Sequence, residues 1–327
     1  MLVVNRQDVE RALSMPAAIA AMRDVLVALD RGHAVQPLRS SFELPGTTDR
    51  CYLMPAYAGT PATLGVKVLT AVHANAGTRF DVHQGAVLLF GKHGELLALI
   101  DATSITATRT AAVSAVATDV LARPDATRLA ILGAGAQAQS HLEAMACIRP
   151  IARVSVWSRE REHAERFAHA ARARLDVVVD VCETVRSAVA DADIICATTA
   201  AHSPILDAGM VRQGAHINAV GSGSASHREL TSAVVRDAGV YVDRLESALS
   251  EAGDIVLAIA DGAISEQHIR GEVGAVLTGR IHGRRSAEEI TLFKSVGLGA
   301  EDVAAASAIY HACLASASGT HVEFGAG

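Results

Sequence analysis

The run Arg128-Leu-Ala-Ile-Leu-Gly133-Ala-Gly135-Ala136-Gln137-Ala138 does most to limit what this chain can fold into. A short apolar strand breaks into G-x-G-x-x-A and passes at once into a helical pattern. The three small residues have separate duties. Gly133 allows the tight turn, Gly135 lets backbone approach a pyrophosphate, and Ala138 lets helix pack close on strand. The helix opening at Ala136 and Gln137 then offers free N–H groups and a positive dipole end to phosphate. A single G-x-G-x-x-A is a weak signal, and its surroundings strengthen it. Strand-like runs at 128–132, 153–157, 177–181, 193–197, 216–220 and 239–243 alternate with helical stretches, of which 136–147 and 160–174 are clearest. The expectation is an α/β chain whose Rossmann-type doubly wound sheet binds a dinucleotide.

Residues 1–127 precede the motif, so a second domain stands before the nucleotide-binding one. Residues 8–32 read as helix, with Ser14 as a possible N-cap and Pro16 in a first turn. From 38 to 100 the texture changes. Short β-type runs (Arg39–Leu44, Cys51–Met54, Gly65–Val72, Gly85–Phe90, Leu96–Ile100) alternate with Gly, Pro and Asn, and Lys92-His-Gly94-Glu reads as a hairpin turn. Thr106–Leu121 and Ala300–Ser316 read as Ala-rich helices. The last can return to the first domain, which predicts a discontinuous α+β domain of residues 1–120 and 298–327 around a nucleotide domain of residues 121–297.

Details of the sheet edge bear on the cofactor. NAD-specific sites place Asp or Glu after the second strand to hold the ribose 2′-hydroxyl. Here that position is Ser158, followed by Arg159. A missing carboxylate removes repulsion of a 2′-phosphate and a guanidinium can pair with it, which favours NADP(H) and leaves NAD(H) as the alternative. Thr198 and Thr199 follow the fourth strand, and Val220, Gly221, Ser222, Gly223 and Ser224 the fifth, where the nicotinamide belongs.

Bulk properties exclude several classes. Net charge is −6, so no global basic field serves nucleic acid. The apolar stretch Ala111–Ala122 is broken by Ser114, Thr118 and Asp119, too short and too polar to span a membrane, and the first residues read as no secretory signal. Five scattered cysteines without a C-x-x-C fit reduced thiols and a cytoplasmic location. The fourteen histidines include no H-E-x-x-H and no cluster at ligand spacing, so no metal is expected. Gly221-Ser-Gly-Ser is no nucleophile elbow.

Arg39, Lys67 and Arg109 each sit in an apolar or small-residue run of the first domain. Buried bases demand anionic partners. Taken singly, each fits a structural salt bridge; together they read as a cradle for a substrate carboxylate. With Met54-Pro-Ala-Tyr57, Gly65-Val-Lys67, His83-Gln-Gly85-Ala-Val-Leu-Leu-Phe90, Arg109-Thr110-Ala-Ala, Gly133-Ala-Gly-Ala-Gln137, Ile217-Asn-Ala-Val-Gly221 and Ile290-Thr-Leu-Phe-Lys294-Ser295-Val-Gly297 in order, the chain resembles the ornithine cyclodeaminase/mu-crystallin family.

The resemblance implies a homodimer, with the discontinuous domain binding substrate and dimerising. It implies that Arg39, Lys67 and Arg109 hold the carboxylate of an amino or imino acid. It places Thr110, Lys294 and Ser295 near the cofactor. Family members cyclise ornithine with loss of ammonia, oxidise amino acids, reduce cyclic ketimines or pyrroline-2-carboxylate, or bind without catalysis. In cyclodeaminases an Asp in the loop after the fifth strand handles the amine. Here that loop reads Gly221-Ser-Gly-Ser-Ala-Ser226, with Gly223 at the Asp position and Ser224 beside it. The acid-free loop points to NAD(P)H-dependent reduction of a cyclic imino acid, such as pyrroline-2-carboxylate or piperideine-2-carboxylate. Cyclodeamination, amino-acid dehydrogenation and a crystallin-like binding role remain the alternatives. Lys67, with its pKa depressed by Arg39 and Arg109, and His83 are both candidate proton donors. Glu229, in Arg-Glu-Leu, reads as structural.

Overall fold

The computed structural model of the chain describes residues 1–59, 61–75 and 78–325. The chain divides into two compact units. One comprises Met1–Arg109 and Gly297–Gly327, the other Thr110–Val296.

The first unit is built on a seven-stranded sheet. Its strands are β1 (Leu2–Val4), β2 (Ser40–Glu43), β3 (Arg50–Gly59), β4 (Ala62–Ala71), β5 (His83–Phe90), β6 (Leu96–Asp101) and, from the chain's far end, Thr320–His321. Their order is Thr320–His321, β1, β6, β5, β4, β3, β2, with only the β1–β6 pair parallel. Gly94, at φ +83°, turns the β5–β6 hairpin, and its N–H reaches the Gly91 carbonyl at 3.0 Å.

Period-two alternation decides which face of this sheet is covered. Met54, Ala56, Ala58, Gly65 and Lys67 are buried, and the helix Gly299–Ser316 packs on β3, β4 and β5. That helix is Ala-rich because it is enclosed almost all round, from Gly299 to Ser307 without a break. The opposite face carries Phe42, Leu53, Tyr57 and Leu64, exposed by 57%, 38%, 37% and 50%. Leu53 and Tyr57 face the same way, and Tyr57 stands directly opposite Leu64.

The helix expected over residues 8–32 is two helices, Arg6–Ala12 and Met15–Asp30, bent by 82°. The cause is the cap inside the run. Ser14 is extended at φ −70°, ψ 153°, and its hydroxyl accepts from the Ala17 N–H at 3.4 Å, so the helix restarts. Pro16 sits in the first turn of the second helix, where its missing N–H costs nothing.

The second unit has an all-parallel sheet of eight strands: β7 (Arg128–Leu132), β8 (Arg153–Trp157), β9 (Val178–Val181), β10 (Ile194–Ala197), β11 (His216–Ala219), β12 (Gly239–Val242), β13 (Ile269–Glu272) and β14 (Thr291–Lys294). The order β13-β12-β14-β11-β10-β7-β8-β9 reverses direction between β7 and β10, the crevice where open α/β sheets bind ligands. Strands β7, β10, β11, β12 and β14 are buried on both faces apart from Arg128, and β7, β10 and β12 accordingly read as near-continuous apolar runs. Sequence reading missed β13, half-buried and charged, and β14, whose four residues end in a lysine. Among the described residues, no single helix is long and apolar enough to cross a membrane.

Candidate active site

The nucleotide motif folds as expected. Gly133 ends β7 at φ +108°, and a Cβ there would come within 2.9 Å of the Thr198 carbonyl, so backbone and packing both demand glycine. Gly135 is different. Its φ is −85°, and a Cβ would meet no atom within 4 Å. Nothing in the protein's own packing requires glycine at 135, and the open space suits close approach of a pyrophosphate. Gly135 is the N-cap of helix Ala136–Ile148 without a side-chain cap, so the positive end of the helix dipole opens at this turn, where it suits an anion. Ala138 is fully buried. These residues fit a dinucleotide.

Beyond β8, Ser158 stands where a carboxylate would mark NAD, and the Arg159 side chain is 91% exposed, 3.6 Å from Glu160. Thr198 ties β10 to β7, donating from both N and Oγ1 to the Leu132 carbonyl at 2.9 and 3.0 Å. Thr199 N and Oγ1 both donate to Oε1 of the fully buried Glu229 at 2.6 Å, and the Gly221 N–H donates to its Oε2 at 2.8 Å. The Arg-Glu-Leu acid therefore clamps the loop after β10 to the loop after β11.

Lys294 ends β14 fully buried, donating to the Ser222 carbonyl at 2.8 Å and lying 2.9 Å from Asp254. Its ammonium is turned inward. Through these contacts Lys294 holds the loop that carries Ser222. Ser295 is buried and donates from its N–H to the Ala219 carbonyl at 3.1 Å. Thr110 is buried in helix Ala102–Leu121. The Ser222 hydroxyl donates to the His227 carbonyl, so it serves the loop. Val220 is half-buried; Gly223 borders open space; Ser224 and Ser226 hydrogen-bond each other at 2.9 Å.

In the first unit, Lys67 and Arg109 meet. Lys67, on β4, is 1% exposed; its Nζ donates to Thr106 Oγ1 at 2.8 Å and to both Asp302 oxygens at 3.1 and 3.2 Å. Arg109 Nε donates to Asp302 Oδ1 at 2.9 Å and Nη1 to Glu301 Oε2 at 2.9 Å. Arg39 donates from Nη2 to the Gly297 carbonyl at 3.2 Å, beside Arg109. The anions that buried bases demand are thus partly internal, a point sequence reading missed. Asp302 and Glu301 sit in the first turn of the Gly299–Ser316 helix, and Glu301 also accepts from the Leu298 N–H at 3.2 Å. Gln36 secures the same helix start, accepting from the Ala300 N–H at 2.8 Å.

Lys67 and Arg109 meet the two carboxylates directly, and Arg39 is near enough to act on Lys67 through its charge. Burial pushes Lys67 down to about 8; Asp302 pulls it up, and Arg109 and Arg39 push it further down. Burial favours a neutral Asp302, but Arg109 and Lys67 outweigh it and hold the carboxyl below its ordinary value. Gly297, at φ +78°, faces the Arg109 guanidinium so closely that a Cβ would lie 2.6 Å from Nη1. His83 begins β5, four residues along the strand from Val87, which is opposite Lys67. That is roughly 14 Å of strand. Burial, then Lys67 and His73, lower its pKa, so it is mostly neutral at pH 7. The structure does not bring His83 into the cluster's hydrogen bonds. Among the described residues no group of three or more His, Cys, Asp or Glu could hold a metal ion.

A family model described as "Ornithine cyclodeaminase/mu-crystallin family" matches residues 1–317. The chain is 40% identical over 302 residues to the ketimine reductase mu-crystallin of Mus musculus, covering 91% of each chain. It is 34% identical over 326 residues to a Delta(1)-pyrroline-2-carboxylate reductase of Bacillus cereus, covering 99% of this chain and 100% of the relative. Its fold matches the Thermococcus litoralis Delta(1)-pyrroline-2-carboxylate reductase, solved in complex with NADH and L-proline, with a TM-score of 0.96 and 36% identity over 98% of this chain and 100% of that one.

Proposed function

The chain belongs to the ornithine cyclodeaminase/mu-crystallin family, and on that premise we propose that it is an oxidoreductase that reduces the C=N bond of a cyclic imino acid to the L-amino acid. Pyrroline-2-carboxylate and piperideine-2-carboxylate are the substrates that best suit the site. The observation that carries this reading is the ion cluster of Lys67, Arg109, Arg39, Asp302 and Glu301. Its three converging bases suit the carboxylate of a substrate, and its lysine, near pKa 8, is a proton donor matched to neutral pH.

The bound nicotinamide supplies the hydride. Arg39 and Arg109 hold the substrate carboxylate and so fix the imine carbon by orientation. Lys67 gives its proton to the imine nitrogen, which makes the adjacent carbon a better hydride acceptor and leaves a neutral amine in the product. Asp302 keeps enough positive charge on the buried Lys67 for that transfer. His83, mostly neutral at pH 7, is the weaker candidate for the same role. The loop Gly221–Ser226 brings no carboxylate to receive a distal ammonium, which argues against ornithine cyclisation.

The exposed Arg159 and the absence of an acid at Ser158 support NADP(H) over NAD(H). The uncovered apolar face at Phe42, Leu53, Tyr57 and Leu64 supports a homodimer, because monomers rarely leave so many large apolar groups together in water. Five unpaired cysteines support a reducing, cytoplasmic location.

The test is NADPH and NADH oxidation with the two cyclic imines, beside ornithine with NAD. Reduction of a cyclic imine that Lys67→Met abolishes, with NADPH affinity nearly unchanged, is the expected result. Efficient release of ammonia from ornithine, or full activity in Lys67→Met, would overturn the proposal.

A further inference from the structure

The clamp beneath the loops after β10 and β11 carries charge as well as hydrogen bonds. Glu229, Asp254 and Lys294 are each buried to 1% exposure or less. Glu229 accepts from two backbone N–H groups and one hydroxyl, the pattern of an ionised carboxylate. Asp254 Oδ1 accepts from the Glu229 and Leu230 N–H groups at 2.8 and 2.9 Å. Its Oδ2 lies 2.9 Å from Lys294 Nζ, outside hydrogen-bonding angle, so that attraction is Coulombic. Two carboxylates thus share one ammonium. Burial, then Asp254, push the Glu229 carboxyl up, while Lys294 and Thr199 pull it back.

The position of this trio gives its charge a use. In a doubly wound sheet the adenosine half of a dinucleotide lies over the strands of the first βαβ half, here β7, β8 and β9, and the nicotinamide half lies over the other side of the switch point. The loops that Glu229 ties together leave the carboxyl ends of β10 and β11, on that other side. A nicotinamide ring gains a positive charge when its hydride leaves. We propose that Glu229, Asp254 and Lys294 act together as positioning residues whose net negative charge favours the oxidised ring and so makes the bound cofactor a stronger hydride donor. The inference rests on nicotinamide binding at this edge. It does not depend on which imino acid is reduced.

The experiment measures dissociation constants of the oxidised and the reduced cofactor separately, by intrinsic fluorescence and calorimetry, without substrate. Glu229→Gln and Asp254→Asn each remove one negative charge. Lys294→Gln removes the positive one. A purely structural role would weaken both cofactor forms alike. The charge role requires opposite signs. In the two neutralising variants the ratio of oxidised to reduced dissociation constants should rise about fivefold, the scale of one unit charge acting across roughly a nanometre at intermediate dielectric constant. In Lys294→Gln the ratio should fall by a similar factor. If Glu229→Gln does not fold, because its amide faces the Gly221 N–H, Asp254→Asn carries the neutralising arm. A ratio that stays within twofold of the wild type, one that moves the same way in all variants, or a failure of every variant to fold would overturn the proposal. Failure of the wild-type protein to bind either cofactor form would instead overturn the nicotinamide reading itself.

Discussion

Asp302→Asn tests the proton donor most directly. Asp302 counters the burial of Lys67 from 3.1 Å, and with it the lysine lies near pKa 8. Removing a unit charge at that distance is worth about 2.7 kcal/mol at an effective dielectric constant of about 40. At about 1.4 kcal/mol per decade, the lysine should fall to about pKa 6. At pH 7.5 its protonated fraction then drops from about three quarters to about 3%. Because kcat/KM reports the free enzyme, it should fall about 25-fold at pH 7.5 but only about twofold at pH 6. At pH 7.5 the lost carboxylate charge is largely offset by the lost ammonium charge, so KM should change little. Breaking one side of a buried ion cluster also costs stability, about 3–5 kcal/mol, so the assay belongs at 25 °C on protein shown to be folded by circular dichroism. The check is a kcat/KM profile from pH 5.5 to 9.5. The wild type should lose activity above pH 8, because the donor deprotonates there, and the variant should lose it two pH units lower. Equal losses at pH 6 and pH 7.5 would refute the assignment of Lys67 as the titrating donor.

Three further outcomes are expected. Arg159→Ala should raise KM for NADPH about tenfold, the scale of one charge-assisted hydrogen bond, and leave KM for NADH within twofold; parallel titrations with both cofactors check this. Gly297→Ala should lower the melting temperature by several degrees and raise KM for the imino acid, because φ +78° is strained for alanine and its Cβ must displace Arg109; an unchanged KM would separate Arg109 from substrate binding. Gly223→Asp should fold normally, since its Cβ enters open space, with a melting temperature within about two degrees of the wild type; a thermal scan checks it.

The cofactor half was legible because its chemistry is local. Gly133, Gly135 and the helix they open are consecutive residues whose spacing carries the geometry. The three bases were legible for the opposite reason, as charges in runs that otherwise read as core. Their partners were not. Asp302 is 235 residues from Lys67, and two acids in the first turn of a helix look like ordinary dipole-matching residues. Lys294 was legible as special, but not its inward direction, which depends on Asp254 from a separate helix. Ser14 shows a smaller limit. Its capping chemistry was visible, but whether a cap begins or interrupts a helix is decided by packing on either side.

The path of the chain through the first unit has a consequence for how the protein is made. Its second unit is continuous in sequence, whereas the ion cluster joins residues from Arg39 to Asp302. At about 5–20 residues per second, Lys67 leaves the ribosome roughly 10–50 s before Asp302 does. During that interval Lys67 and Arg109 have neither carboxylate to meet, and β3, β4 and β5 lack the helix that covers them. The second unit, continuous in sequence, can therefore be complete on a nascent chain that still lacks the ion cluster. On the proposed assignment of Lys67 and Arg109, a chain interrupted before Gly297 would reduce nothing, so completed synthesis would itself be a condition of catalysis.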